Sequence, residues 1–531
     1  MARKLPIGIQ SFEKLRQDGF VYVDKTAYVY KLAQSGIPYF LSRPRRFGKS
    51  LLLSTLRAYF EGRRDLFEGL DIEQLEGNGL DAWQVRPVFH LDFNGANYSL
   101  EGGLEKKLDA VLKRWENTWD TDGAGFELGD RFYNLLEKSH AVSGHRASVL
   151  VDEYDKPLLE SMQDSVLEER NRATLKSFFS VLKGADEHVK FVLITGVTKF
   201  SKVSIFSDLN QLSDISHDAR FTNICGISET ELLETFSPEL NAMAEELAQS
   251  TDECQAALRS QYDGYCFHPN GPAGKNDVKR LVYNPFSVLK ALDERRLGSY
   301  WFETGTPSFL VRRMRDSGLD PKRLTDGSLY ATAQRLSDYR ADDPDPIPLL
   351  YQTGYLTVRA YDSSTGAYEL AVPNQEVAWG LVENLLPAYA PSYGASRGTD
   401  VFTLHRYVEQ GDTNGIRHIL EALFASIPYT RDSDPFENYF QAVLWLTFAL
   451  LGRYVSCEVH QAMGRVDCIV ETTSHVYVFE FKRDGTAAEA LAQIEEQGYA
   501  TAFAADPRKL HVIGCVFDSK MRLLSDWDEM A

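Results

Sequence analysis

Short apolar runs alternate with longer amphipathic stretches through the first part of the chain. Ile37–Leu41, Pro87–Phe93, Ala147–Glu153 and Val189–Gly196 each read as a buried strand. Phe20–Val23 is a shorter run of the same kind, and Phe221–Ile227 reads as a fifth buried strand. Helical stretches separate them. Strand and helix in alternation predict a parallel, three-layer α/β domain over residues 1–228.

From Glu229 the pattern turns mostly helical. Phe236-Ser237-Pro238 marks a break before an acidic helix, Leu240–Ser250. Aromatic clusters follow at Tyr262-Asp263-Gly264-Tyr265, Val282–Phe286 and Trp301–Pro307, and they read as packing. Asp342–Pro346 reads as a linker. Leu349–Val358 and Tyr368–Val372 flank a turn at Ser363–Gly366. Helices before a hairpin predict a winged-helix-like lid, with 229–425 acting as a coupling region. The remainder, 426–531, begins with a helix, Phe436–Leu451. It continues with strands Tyr454–Val459, Gly464–Val470 and Val476–Lys482, a helix Thr486–Phe503 and a strand Leu510–Phe517.

The first of these regions carries a phosphate-binding pattern. Ser42-Arg43-Pro44-Arg45-Arg46-Phe47-Gly48-Lys49-Ser50 lies between a strand and the amphipathic helix Leu51–Tyr59, the context of a P-loop. Arg45, Arg46, Phe47 and Gly48 would wrap the phosphates of ATP. Lys49 would reach the β- and γ-phosphates, and the Ser50 hydroxyl would ligate Mg²⁺. Arg43 stands where the usual loop opens with glycine. Three arginines therefore surround the site and would add charge-assisted contacts to phosphate. Asp152 and Glu153 end an apolar strand at the edge where open α/β sheets bind ligands. Asp152 would hold Mg²⁺, and Glu153 would orient or deprotonate the attacking water. Asp155 is a weaker candidate. Thr195 ends the next strand and is the candidate sensor of the γ-phosphate. Lys199 and Lys202 are candidate cations, and Arg220 is a positional candidate for an arginine finger.

A second chemistry sits near the C-terminus. Side chains alternate faces along a strand, so Glu480 and Lys482 point the same way. Asp467 lies on the partner strand. Two converging carboxylates suit one or two Mg²⁺ ions, or Mn²⁺, and Glu437 would add a helix-borne ligand. Lys482 would position the nucleophilic water or neutralise charge on a phosphodiester under attack.

Both patterns resemble known families. Tyr22–Thr26, Arg43–Ser50, Val151–Asp155 and Thr195–Lys202 resemble the bacterial AAA-ATPase-like family, in which an arginine commonly replaces the first P-loop glycine. That resemblance covers most of the chain and implies a C-terminal nuclease-type domain. Asp467 followed by Glu480-Phe481-Lys482, in an α-β-β-β-α-β order, resembles the PD-(D/E)xK nuclease superfamily. Gln493 matches a glutamine often seen on the following helix. Gln497 stands where some members carry a tyrosine.

Composition restricts the partners. The formal net charge is −19, so any nucleic-acid contact must be a local basic patch or metal-mediated. Residues 431–531 hold nine lysines and arginines against sixteen aspartates and glutamates. At 531 residues the chain predicts roughly three or four domains. The six cysteines are scattered, without metal or redox spacing, and read as buried thiols of a cytoplasmic protein. Met1–Pro6 does not read as a signal peptide, and the apolar run Tyr439–Leu451 is too short to span a bilayer. The sequence therefore predicts an ATP-regulated, metal-dependent nuclease acting on DNA or RNA, with homo-oligomer formation possible. Its alternative is a nucleotide-driven interaction switch with a non-cleaving nuclease-like domain. A translocase is disfavoured, because there is one P-loop and no second motor domain.

Overall fold

The computed structural model describes residues 3–77, 82–199, 212–268, 280–304, 308–324, 328–337, 345–389, 399–425, 435–452, 456–459, 468–518, 520–521 and 523–530. They form two compact units. The first comprises Met1–Glu303 and Gly327–Glu376, and the second Thr304–Asp326 and Val377–Ala531.

The first unit is built on five strands: β1 (Tyr39–Ser42), β2 (Val88–Asp92), β3 (Ala147–Asp152), β4 (Val189–Gly196) and β5 (Ser213–Asp214). Their order is β2-β3-β4-β1-β5, and every neighbouring pair is parallel. Each residue of β1 and β3 is buried, which is why these strands read as unbroken apolar runs. Helices Gly103–Trp119, Leu128–Ser143 and Ser165–Gly184 provide crossovers, and the Phe132 and Phe178 rings stack with centroids 5.0 Å apart.

Two expected strands are absent from this sheet. Phe20–Val23 contributes a single bridge, Phe20 to Lys4. Phe221–Ile227 is not the fifth strand; that place belongs to β5. Ala219–Phe221 is instead a 3-10 turn capped by the Asp218 carboxylate, and Gly226 adopts φ 93°. Phe221 and Ile224 are apolar because they are buried, and the Phe221 carbonyl is turned inward to accept from Arg43.

Ile227–Ser228 (β6) pairs instead in a small antiparallel sheet with Tyr265–Cys266 (β7) and Leu281–Tyr283 (β8), ordered β6-β8-β7. Ser228 and Glu231 form a capping box that starts the helix Glu229–Glu246. The expected break falls at Phe236, whose backbone is non-helical (φ −116°, ψ 18°), so two helical arms meet there at a kink just before Pro238. Phe236, Leu240 and Met243 bury into one core with Tyr262, Tyr283 and Val288, which holds both arms of the kink. Leu329–Thr332 (β9), Thr357–Asp362 (β10) and Ala367–Ala371 (β11) make a further antiparallel sheet in the order β10-β11-β9, with the helix Ile347–Thr353 between β9 and β10 in the chain.

The second unit holds a mixed sheet: β12 (Ser456–Val459), β13 (Cys468–Glu471), β14 (His475–Arg483), β15 (Lys509–Asp518) and β16 (Leu523–Met530), in sequential order. Only β14 and β15 run parallel. Helix Pro435–Leu451 precedes the sheet, and Ala487–Gln497 supplies the crossover that a parallel pair requires. β16 is an edge strand beyond the expected order. Residues 377–425 and 304–326 fall in this unit, and 229–303 and 327–376 in the first.

Candidate functional site

The parallel sheet brings three strand exits together. β1 runs into the loop 43–48, whose tight turn uses positive φ at Arg46 (66°) and Gly48 (93°). Helix Lys49–Phe60 starts immediately after it. Lys49 is buried and donates to the carbonyls of Arg43 (2.9 Å) and Pro44 (3.1 Å), so its ammonium closes the loop on itself. Burial pushes its pKa down, and the charges of Asp152, Glu153 and Asp155 oppose that shift. Ser50 is half-buried in the first turn of the helix.

The three arginines diverge. Arg43 is not a phosphate-facing group. It is 1% exposed and donates to the carbonyls of Ser42 (2.9 Å), Ser216 (2.7 Å) and Phe221 (3.2 Å), with its guanidinium 4.0 Å from the Phe267 ring centroid. Three inward carbonyls and an aromatic face explain why a guanidinium occupies the usual glycine position. Arg46 is half-buried; it lies 3.7 Å over the Phe286 ring and donates to the Tyr300 carbonyl at 2.7 Å. Arg45 is exposed. The Phe47 side chain is core, edge-on to Tyr265 and Phe267.

At the exit of β3, Asp152 is buried and accepts from the Thr195 hydroxyl (2.7 Å) and from the Glu153 N–H (3.1 Å). The structure thus joins Asp152 to Thr195, the two strand-end residues singled out above. Glu153 holds a left-handed φ of 51°, with Lys156 Nζ 3.7 Å away. Burial and the neighbouring Asp152 charge raise its carboxyl pKa. Lys199 is buried and paired with Asp214 at 3.0 Å, while Arg220 is exposed and bonded to Asp218. Lys202 lies outside the described residues.

In the second unit, Glu480 and Lys482 share a face of β14, as alternation requires. Gln493, on the helix Ala487–Gln497, links them: it accepts from Lys482 Nζ at 2.7 Å and donates to Glu480. That helix can approach because Gly514 of β15 pairs with Glu480. A Cβ at Gly514 would come within 2.4 Å of the Ala487 carbonyl. Phe481 points the other way, toward Phe448 and Phe479. Asp467 and the Glu437 side chain lie outside the described residues. Among the described residues, no three His, Cys, Asp or Glu side chains cluster to hold a metal ion.

Residues 6–206 match the family described as predicted AAA-ATPase, and residues 435–527 match the PD-(D/E)XK nuclease superfamily. An uncharacterized protein from the vnfD 5′ region of Azotobacter chroococcum mcd 1 is 37% identical over 98% of this chain and 97% of its own length. The chain belongs to the AAA-ATPase-like family and carries a C-terminal PD-(D/E)XK nuclease superfamily domain. The P-loop and the Asp152–Thr195 pair fall within the first match, and Glu480, Lys482 and Gln493 within the second.

Asp155 has a larger place in this AAA-ATPase-like protein than its sequence position suggested. Fully buried, it accepts from Val197 N (3.0 Å), Thr198 N (2.6 Å) and Thr198 Oγ1 (2.7 Å), fixing the chain where it leaves β4. Gly196 permits this, since a Cβ there would meet the Tyr154 ring at 2.6 Å. The only sequence signal was a polar Gly-Val-Thr end to an apolar run. The five cysteines with described side chains are buried, and no described helix is long and apolar enough to cross a membrane.

Proposed function

We propose that this protein binds and hydrolyses ATP in its first unit, and that nucleotide state governs a metal-dependent phosphodiesterase site acting on DNA or RNA in its last domain. The observation that carries the ATP reading is the convergence of Lys49, Asp152 and Thr195 at adjacent strand exits. Lys49, now bonded to its own loop, would transfer its N–H groups to the β- and γ-phosphates. Asp152 and the Ser50 hydroxyl are oxygen donors suited to Mg²⁺, which when bound would withdraw charge from the phosphoryl oxygens. Thr195 would hold Asp152 in place and report the γ-phosphate. Glu153, its carboxyl raised by burial, would orient or deprotonate water.

In the last domain Glu480 and Asp467, with Glu437 as a further donor, offer the oxygen ligands for Mg²⁺ or Mn²⁺. A metal held there would supply Lewis acidity. Lys482, positioned by Gln493, would orient the attacking water or balance the developing charge. We assign the nucleotide-binding part to 1–228, the coupling part to 229–425 and the nuclease-like part to 426–531, in a cytoplasmic protein able to form homo-oligomers. The acidity of residues 431–531, nine basic against sixteen acidic residues, favours a second reading. In that reading the domain does not cleave, and the protein is a nucleotide-driven interaction switch.

Labelled single- and double-stranded DNA and RNA, incubated with Mg²⁺ or Mn²⁺ with and without ATP, separate the two readings. The wild type should cleave, Lys482→Ala should not, and Lys49→Ala should lose the ATP response. ATP turnover without cleavage of any substrate would select the switch.

A further inference from the structure

Arg46 sits in the P-loop, and its guanidinium is engaged by Phe286 and Tyr300. Its left-handed backbone (φ 66°) carries the side chain out over the Phe286 ring, 3.7 Å from the centroid, and one arm donates to the Tyr300 carbonyl at 2.7 Å. Arginine suits that place, because its weakly hydrated plane stacks on an aromatic face and still donates at the edge. The next peptide groups continue the connection. The N–H groups of Tyr300 and Trp301 both donate to one carboxylate oxygen of Glu376, at 2.6 and 2.9 Å. Glu376 is 1% exposed. Burial pushes its carboxyl up to about 7, and the Trp301 and Tyr300 N–H groups and the Arg46 charge work against that rise.

The place of these residues in the chain gives the contacts their meaning. The chain passes from the first unit to the second after Glu303 and again after Glu376. Trp301 lies just before the first passage, and Glu376 is the last residue before the second. Helix Gln375–Tyr389 runs through that second passage. One buried carboxylate therefore ties both outgoing segments together, and a P-loop arginine is bonded to one of them.

We infer that Arg46, the Tyr300–Trp301 backbone and Glu376 form a strap that passes nucleotide occupancy of the P-loop to the two segments leading into the second unit. The inference rests on the nucleotide binding proposed above. Phosphate must engage the N–H groups of residues 45–50, and any change in the backbone at Arg46 moves its guanidinium against Phe286 and Tyr300. The Tyr300 peptide cannot follow without disturbing the bonds to Glu376, and a buried carboxylate does not give up N–H donors easily. Because binding couplings are reciprocal, a ligand on the second unit that shifts these segments would alter nucleotide affinity by the same factor.

Amide exchange of peptides covering 299–304 and 375–389 tests this in the full-length protein. It would be measured with and without ADP or a non-hydrolysable ATP analogue in Mg²⁺. Binding of a fluorescent ATP analogue is titrated in parallel. In the wild type both peptides should change exchange rate several-fold on nucleotide addition. Glu376→Gln keeps an acceptor and should retain most of the response. Glu376→Met, of similar volume without an acceptor, should lose at least two thirds of it while still binding nucleotide. Should Glu376→Met not fold, Phe286→Leu removes the platform under Arg46 and should show the same loss. Nucleotide binding with no response in either peptide, or with wild-type responses in Glu376→Met or Phe286→Leu, overturns the strap and leaves the ATP reading standing. Absence of nucleotide binding in the wild type overturns the ATP reading and the strap with it.

Discussion

The two candidate sites place their chemistry on sheets of different kinds. In the first unit the sheet is parallel and its central strands are covered on both faces, so reactive groups collect only at strand exits and in the loop beyond them. In the second, a mixed sheet carries Glu480 and Lys482 within β14, on a face covered by a helix. The first site is thus a matter of backbone: where the loop turns and which carbonyls are satisfied. The second is a matter of side-chain alternation and one helix contact. Arg43 shows the backbone dependence most directly, since its guanidinium serves three carbonyls.

The largest expected effect follows from that residue. Arg43→Met leaves the carbonyls of Ser42, Ser216 and Phe221 without their buried donor. Loss of about 3–5 kcal/mol from the first unit is expected, since each buried carbonyl left without a donor costs roughly 1–3 kcal/mol. Arg43→Gly, which restores the usual opening residue, should do no better. Denaturant unfolding measures both. Unchanged stability with weakened nucleotide binding would make Arg43 a phosphate ligand and remove the contrast between the sites.

The same contrast shows which features the sequence reveals. β1, β3 and β4 were legible because strands buried on both faces read as apolar runs, and each leads to a candidate residue or loop: the P-loop, Asp152 and Thr195. Glu480 and Lys482 were legible because a period of two fixes their shared face. Phe221–Ile227 misled because buried apolar residues of a turn look like a short strand when nothing local shows where the backbone carbonyls point. β16 escaped notice because it is an edge strand whose Leu524 is buried among half-exposed and exposed neighbours. Arg43 misled in the opposite sense: its charge suggests phosphate, and only distant residues, Ser216 and Phe221, show that it turns inward. The passage of 304–326 into the second unit has no local signal.

A pH titration should separate the units by the sign of their response. In the first, burial raises the carboxyls of Asp263 and Glu376 to about 7. An acid raised above its unfolded value lends stability below the unfolded pKa, and that stability is lost as pH rises toward and through the folded one. These two carboxyls should therefore weaken the first unit between about pH 4 and 7, by on the order of 3 kcal/mol for each, while His90 and His217 of the same unit, lowered by burial, work in the opposite sense below about 6.5. In the second unit, burial, His511 and Lys509 lower the His475 pKa below 6.5. A depressed histidine lends stability above its unfolded pKa and loses it as pH falls below about 6.5. Thermal unfolding at each pH, followed through amide exchange of peptides from each unit, should show opposite slopes once His90→Gln and His217→Gln remove the histidine contribution of the first unit. Asp263→Asn should flatten the first and His475→Gln the second. Slopes of one sign in both units would mean that other groups govern their pH response.

The smallest effect concerns the helix that holds Gln493 over Glu480 and Lys482. Its start is fixed by Thr486 and Glu489, each bonded to the other's backbone N–H. Thr486→Ala leaves the Glu489 N–H without its acceptor and should cost about 1 kcal/mol, the usual worth of such a cap. Because Gln493 lies further along the same helix, fraying at the start should reach it only in part. Cleavage at saturating nucleic acid should then fall by no more than a few-fold, whereas Gln493→Leu, which deletes the link itself, should lower it further. If Thr486→Ala matches Gln493→Leu in rate while costing no more stability than a cap, the helix start positions the site, and the second unit depends on backbone placement as much as the first.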